Sequence, residues 1–484
     1  MTDQDHARNL LTKVNQLRAR VGERFRDDIV TSLYADADRI AEQVVSRTGA
    51  KGLSLGERVD RILTHPVWAV PTMLALLALV FWITVVGANV PSAFLAGVLI
   101  DEGGLTGWLQ HYFGVQAPVF LTHSLYDLLN SLFSTIGLPA WLHGFLLNGV
   151  YLCLAWVISV MLPPMAIFFP LFTLLEDVGY LPRIAFNLDW LFSRAGAHGK
   201  QALTMSMGFG CNAAGVISCR IIDSPREKLI AILTNNFMIC NGRFPTVIAI
   251  SMVLAAATVP AGLLSAFTAM MVVGVVMLGV LFTFLTSLLL SRTVLKGRPS
   301  AFTLELPPYR RPAVLSIIYR SIIERTLFVL ARACVVSLPA GAAIWIVSNV
   351  TVSGLPLSHY IIEFLQPLGW LMGLDGAILL AYIIAIPANE IVLPTVLMLY
   401  MQSSRMMEAQ GDVLSGILTS HGWTPLTAVC LLLFCLLHNP CGTTIWTIWR
   451  ETRSIRWTLL ATFMPVVMGI VFCSLVAGVW RIVT

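Results

Sequence analysis

Charge is what this sequence has least of. Only 12% of its 484 residues are Asp, Glu, Lys or Arg, about half the share of an ordinary soluble domain. That scarcity excludes a soluble globular protein and provides no basic surface for nucleic acid, so no nucleic-acid partner is expected. The opening residues MTDQDHARNLL lack the apolar core of a cleavable signal peptide, so the N-terminus is expected to stay on the cytosolic side, where it is made. Nine cysteines are present, but they lie mostly inside apolar runs and show no secreted-domain spacing, which argues against a disulfide framework.

What fills the chain is apolar: 57% hydrophobic residues and a mean hydropathy of +0.79. Several runs reach the roughly 20 residues needed to cross the hydrocarbon. The expectation is an all-α polytopic membrane protein in a lipid bilayer. A first span is expected at about 68–86, and no lysine or arginine follows until after His143, so that loop is external by the positive-inside rule. Its piece at about 91–136 reads as surface helices. A second span, about 141–162, is expected to stop at Pro163 and Pro164. Arg183, Arg194, Lys200, Arg220, Arg226 and Lys228 then mark a cytosolic region. Further spans are expected near 229–255, 261–290, 327–349 and 424–448. Between Ala333 and Trp449 only Arg405 is basic, which makes the loop 402–423 and the C-terminus external. The expected divisions are a cytosolic helical connector (1–62), a first span with external surface helices (63–140), a first half (141–291), a basic cytosolic linker (292–325) and a second half (326–484). The connector carries an apolar stripe of Leu10, Val14, Leu17 and Val21, and a capping box at Ser54 and Glu57.

One stretch departs from the apolar norm. Residues 208–245, GFGCNAAGVISCRIIDSPREKLIAILTNNFMICNGRFP, hold Arg243, Asn235, Asn236 and Asn241 where a span is expected. An arginine at mid-membrane costs about 2.5–3.5 kcal/mol on insertion scales, so these groups must face protein or water. Gly208, Gly210, Gly215, Gly242 and Pro245 break helices and free carbonyls, the device by which discontinuous helices build ion sites near the midplane. Cys211 and Cys240, flanked by Asn and Gly, add soft sulfur to hard oxygen, a mixture suited to a first-row transition metal. Cys153, Cys334, Cys430, Cys435 and Cys473 lie in plainly apolar runs and read as packing.

The second half offers a counterpart. LLEDVGYL (174–181) resembles IIEFLQPLG (361–369), and each precedes a broken apolar segment: GFGCNAAG then MICNGRFP, against IPANEIVLP (386–394) then LLHNPCGTTI (436–445). Basic residues on both sides of GFGCN make it dip in from the cytosol and return, whereas the second broken segment opens outward. The two halves are therefore expected to form an inverted repeat, with broken or re-entrant helices meeting at the midplane. Cys211 and Asn212 then face Asn389 and Glu390, and Cys240 pairs with Cys441. Glu390, between two prolines, carries a proton, pairs with Arg243 or binds a cation. Glu176 is a reserve carboxylate, and His438 is either a ligand or a hydrogen-bonded residue.

These residues resemble the membrane portion of the FeoB family of ferrous iron transporters. The resemblance runs from about Ser54 to the C-terminus and rests on ERVDRILTHPVWAVP, LLEDVGYLPRIAFNLD, GFGCN, ELPPYR, PANEIVLP and NPCGTT through WRET, in family order. It implies two Gate-type halves and Fe(II) uptake across the bacterial inner membrane. It also implies regulation by a GTP-binding domain, and possible partners among small cytosolic Feo proteins and in a homo-oligomer. GCNAAG and CNGRFP depart from the family's common GCNVPA and Cys-Gly-Ala-Arg-Leu-Pro. No GxxxxGK[ST] and no NKxD occur, so GTP is expected to act only through a separately encoded G protein.

The expected function is Fe(II) transport with Cys211, Asn212, Cys240, Asn389, Glu390 and Cys441 as metal ligands and Glu176 as a further candidate. The alternatives are a non-transporting Gate-type scaffold and a transporter of another divalent metal or of a nucleoside. Purified, the chain is expected neither to bind nor to turn over GTP above background. Measurable turnover by a clean preparation contradicts that reading.

Overall fold

The computed structural model describes residues 13, 25–44, 55–65, 68–101, 104–114, 122–297, 309, 312–403, 406, 409 and 411–483. The stripe from Leu10 to Val21, the Ser54 cap and Arg405 lie outside them. Apart from the two-residue strands β1 (Thr351–Val352) and β2 (Leu355–Pro356), the regular structure among the described residues is helical. Six helices there are long and apolar enough to cross a membrane, or seven if one bent pair counts as a span.

A polar helix α1 (Phe25–Val44) and the short α2 (Leu55–Leu63) precede the first span, α3 (Ala69–Leu99). This span runs well beyond the expected end near residue 86, because Pro91 bends an apolar run without ending it. Two short helices, α4 (Thr106–Phe113) and α5 (Leu125–Ile136), follow; α5 opens on a capping box between Ser124 and Asp127. The second span, α6 (Ala140–Val178), passes straight through Pro163, Pro164 and Pro170, where the sequence pointed to a stop. Within a membrane, a loop with unpaired backbone costs more than the few hydrogen bonds that proline removes, and packed neighbours keep such a helix going.

The surface helix α7 (Tyr180–Arg194) leads into α8 (Gln201–Gly210) and α9 (Asn212–Ser218), two antiparallel pieces hinged at Cys211. Their open end is closed by the Lys200 Nζ to Asp223 Oδ2 ion pair at 2.7 Å, so GFGCN is the tip of a re-entrant hairpin as expected. Next comes a span broken in the middle: α10 (Pro225–Thr234), residues 235–243, then α11 (Phe244–Thr258). The long α12 (Leu264–Arg292) completes this half.

The second half has the same order of parts. The long span is α13 (Val314–Asn349), which starts about a dozen residues ahead of the expected 327. The amphipathic α14 (Leu357–Leu371) is set at 110° to α15 (Gly376–Ile384). α15 and α16 (Asn389–Tyr400) make a second hairpin, with its tip at residues 385–388. This one is closed by a chain from Asp375, which also caps α15 at Ile378 N, to the Tyr400 hydroxyl and on to Trp423 Nε1. After α17 (Gly411–Ser420) comes a second broken span, α18 (Pro425–Leu437) and α19 (Gly442–Thr452), then α20 (Ile455–Val483). LLEDVGYL turns the corner from α6 to α7, whereas IIEFLQPLG lies within α14, so this pair does not occupy matching elements. The broken segments do, as hairpin tips and span breaks.

The hairpins open at opposite ends of α20, whose 29 residues span about 43 Å. Arg220, at the end of the first hairpin, binds Glu451 just ahead of α20, while Arg481 in its last turn bonds Trp370 O beside the mouth of the second. The long spans of the two halves, α6 and α13, cross where Gly149 meets Gly341; a Cβ on Gly149 would lie 3.0 Å from Gly341 O. Close contact at small residues holds helices together where lipid provides no hydrophobic drive. The outer faces stay apolar, as at Leu285, Leu289, Phe463 and Val467, each at least half exposed.

Cysteines placed at Ser353 and Ser420 are expected to react with a membrane-impermeant maleimide from one side, and a cysteine at Lys296 from the other. Labelling of Ser420→Cys and Lys296→Cys from the same side would contradict the second hairpin.

Candidate functional site

The two hairpin tips and the two span breaks meet at one place inside the helices. Asn241 N donates to Gly210 O at 3.3 Å, joining the first break to the first tip, and Gly442 N donates to Ile386 O at 2.7 Å, joining the second break to the second tip. The first break also meets the second tip: a Cβ on Gly242 would fall 2.5 Å from Glu390 Cδ and 2.9 Å from its Cγ. Any side chain at 242 would have to displace that carboxylate.

Arg243 ties the two breaks together. Fully buried at 1% exposure, it donates through one terminal nitrogen to Asn236 O (3.1 Å) and Leu436 O (3.2 Å). Its other terminal nitrogen reaches Asn236 Oδ1 (3.0 Å) and Asn439 O (3.2 Å). Asn236 in turn donates to His438 O at 2.8 Å. These are carbonyls that broken helices leave without partners. Asn235 does the same inside the first half: its Nδ2 donates to Asn212 O at 3.0 Å, with Gly215 too close behind it for any Cβ. With its amide oriented to suit its neighbours, Asn212 donates to Gly208 O (3.1 Å) and Met238 O (3.3 Å).

Around this frame lie the thiols. Cys211, in extended conformation, precedes α9; Cys441, likewise extended, precedes α19; Cys240 sits in the first break. Cys211, Cys240, Cys441 and Glu390 are close enough to interact electrostatically. Glu390 and Cys441 keep partial exposure, and the Cys441 thiol shares a 3.1 Å hydrogen bond with Thr444 Oγ1. Asn389 is buried, with its Nδ2 unpaired. Among the described residues no three His, Cys, Asp or Glu side chains stand ready as a metal cage, and Arg243 and Glu390 form no ion pair. Glu176 lies elsewhere, half-exposed at the end of α6 and 3.4 Å from Arg325. His438 Nδ1 contacts Cys435 O at 2.8 Å, which makes it the donor and leaves the buried Nε2 without a partner.

Two further polar centres lie at the basic end. Asp60 on α2 accepts from Arg183 Nε at 2.6 Å and from the Tyr309 hydroxyl at 2.7 Å, and the Arg183 guanidinium stacks on Tyr309. The Arg183 hydrogen bond, opposed by burial and aided by Tyr309, holds the Asp60 carboxyl below its usual range. Burial first, and then the neighbouring Lys200, lower the pKa of His198, ahead of α8, to about 4.

Comparison with known proteins agrees with this arrangement. The Gate family, described as nucleoside recognition, matches residues 158–254 and 330–454, each carrying one hairpin and most or all of one broken span. The family described as ferrous iron transport protein B C terminus matches residues 272–323. The Fe(2+) transporter FeoB of Staphylococcus aureus (strain MSSA476) is 27% identical over 459 residues, covering 93% of this chain and 62% of that protein. That of Methanocaldococcus jannaschii is 25% identical over 479 residues, or 96% and 64% of the two chains. A protein of Porphyromonas gingivalis, the Fe(2+) transport protein A/Fe(2+) transporter FeoB fusion protein, is 26% identical over 458 residues, or 84% and 49%. The chain thus carries the Gate and FeoB C-terminal segments in order and is similar to Fe(2+) transporter FeoB proteins over nearly its whole length. It spans less than two thirds of the length of these FeoB proteins. No solved structure matches it.

Sequence reading did not anticipate the polar closures at Lys200 with Asp223, at Asp375 with Tyr400 and Trp423, and at Arg220 with Glu451. Their partners are separated by 23 to 231 residues and follow no local spacing. Arg183, Asp60 and Tyr309 did carry a signal, since each falls in a segment shared with the family.

Two outcomes are expected. Gly242→Ala should destabilise the chain by about 1–3 kcal/mol through overpacking against Glu390, and adding Glu390→Ala should recover most of the loss; simple additivity of the two in thermal unfolding would contradict the contact. His198, with an unfolded pKa of about 6.5 and a folded one of about 4, binds more protons when unfolded between those values. Its contribution to stability is therefore complete above about pH 6.5 and is lost as pH falls toward 4. His198→Asn, which keeps an acceptor for Lys200 N, should flatten the unfolding profile in that window.

Proposed function

We propose that this chain moves Fe(II) across the bacterial inner membrane, inward, through the point where its hairpin tips and span breaks meet. The observation that supports the reading is that Cys211, Cys240 and Cys441, with Glu390, lie at or beside the hairpin tips and span breaks, near enough to interact electrostatically. Thiolate, carboxamide and carboxylate together suit a first-row divalent metal, and Cys211, Asn212, Cys240, Asn389, Glu390 and Cys441 are its ligands. Glu176, 3.4 Å from Arg325 at the end of α6, stays the reserve carboxylate for the metal. The ligand set is completed only when one half moves relative to the other, which fits a site that must also release its cargo.

The two halves act as an inverted repeat, and rocking of one against the other changes access. The opposite openings of the two hairpins support this, as does the matching order of elements. The basic end, with Arg183, Lys200, Arg220 and Arg450, is cytosolic by the positive-inside rule, which puts the N-terminus in the cytosol too. We read residues 1–62 as the connector on which regulation acts, through the Asp60–Arg183–Tyr309 contact. GTP acts through a G protein of the FeoB type, since these 484 residues hold no phosphate loop. Small Feo proteins are natural companions, in keeping with the fused Porphyromonas gingivalis relative.

Uptake of radioactive Fe(II) by vesicles containing the chain, with and without its G protein, tests the reading. Cys211→Ala and Cys441→Ala should abolish uptake with little loss of stability, since a packed thiol replaced by alanine costs about 1 kcal/mol. Cys153→Ala and Cys473→Ala should leave uptake unchanged. Glu390→Gln should weaken uptake and flatten its rise with pH, because a carboxylate must be deprotonated to bind metal. Wild-type uptake by Cys211→Ala and Glu390→Gln together would refute the site, and no uptake by the wild type with its G protein would favour a scaffold.

A further inference from the structure

At the basic end, a cavity of about 680 Å³ opens between the halves, bounded by α6, α8 and α9 on one side and by α13 and α19 on the other. Its walls are of two kinds. Phe169, Phe172, Leu203 and Phe328 make one side apolar, while five cations face three carboxylates on the other. Most of that charge is matched: Arg220 holds Glu451, Arg325 reaches Glu176, and Lys200 holds Asp223. Arg332 and Arg450 are different. Both line the cavity, no described carboxylate lies within ion-pair range of either, and the guanidinium of Arg332 is held 4.2 Å over the Phe328 ring.

Arg450 is exposed and Arg332 half-buried, so water hydrates both, and each guanidinium keeps donors to offer an anion seated in the cavity. We propose that this cavity binds a phosphate-bearing anion whose phosphate bridges Arg332 and Arg450, and that the source is an anionic phospholipid of the cytosolic leaflet. Three features favour a lipid over free phosphate. The cavity is far larger than one phosphate, its inner wall is aromatic and aliphatic, and Phe328 and Ile221, which line it, are 51% and 40% exposed. Basic pockets between membrane helices on the cytosolic side are where such headgroups bind. The lipid here touches both halves, so its occupancy holds them in the arrangement described. The inference does not depend on which solute the protein carries.

The test uses the full chain in detergent, exchanged with equal amounts of phosphatidylglycerol and phosphatidylcholine and examined by native mass spectrometry. The wild type should retain phosphatidylglycerol selectively. Arg332→Gln/Arg450→Gln should weaken that retention on the order of 25-fold, about fivefold for each arginine. Arg456→Gln, on the same membrane face but outside the cavity, should not. A parallel arm measures thermal unfolding in inorganic phosphate. Stabilisation of wild type by phosphate, absent in the double variant, together with no selective lipid adduct, supports the anion site and moves its source to soluble phosphate. Equal phosphatidylglycerol retention by wild type and a folded double variant, with no phosphate effect, overturns the proposal. Should the double variant fail to fold, Arg332→Lys/Arg450→Lys keeps both charges but loses the planar fork, and unchanged selectivity and unchanged phosphate response there count against bridging.

Discussion

A buried arginine holds the centre of this structure together. Four helix ends stop in the middle of the membrane region, and each stop frees carbonyls that lipid cannot satisfy. Arg243 answers with two terminal nitrogens that reach four oxygens, two on Asn236 and two on the opposite break at Leu436 and Asn439. Hydrogen bonds from a charged donor are worth about 1.5–3 kcal/mol each. A lysine, with a single nitrogen, lacks this fork and could not reproduce the geometry. The breaks thus free the carbonyls that cost energy, and the arginine supplies the donors that satisfy them.

The ends of the hairpins show the same logic at the membrane surfaces. Lys200 with Asp223, and Asp375 with Tyr400 and Trp423, fix where each hairpin enters, so each tip is delivered to a set depth. Arg220 with Glu451 then links the first hairpin to the end of the second broken span. A shift of one half must strain or break that pair, whereas the apolar outer faces can slide against lipid with little change in energy. Polar contacts define the state and apolar contacts tolerate movement.

Much of this was legible in the sequence, for reasons that differ by feature. The spans show because hydropathy over 20 residues is a strong signal, and GFGCN shows because an asparagine and glycines amid aliphatics have few explanations. The first hairpin followed from basic residues on both its flanks. The prolines of α6 misled, since Pro163 and Pro164 end a helix in water but not one held by neighbours in a membrane. The pairing of LLEDVGYL with IIEFLQPLG misled because a surface helix can shift along its repeat without changing composition. Contacts such as Asp60 with Arg183, 123 residues apart, could not be derived from spacing. Nor could the sequence say that Arg243 would bond carbonyls instead of pairing with Glu390. That depends on where the second break falls.

The central claim is that the thiols at these breaks are metal donors and not packing. Cobalt(II), a spectroscopic stand-in for Fe(II), tests it most directly when added to the purified full chain without oxygen. Thiolate coordination produces intense sulfur-to-metal charge-transfer absorption in the near ultraviolet, which oxygen and nitrogen donors do not. The account predicts this absorption in the wild type, saturating with bound cobalt and lost in Cys211→Ala/Cys441→Ala while the protein stays folded. Cobalt bound with no charge-transfer absorption, or with the same absorption in the double variant, would contradict it.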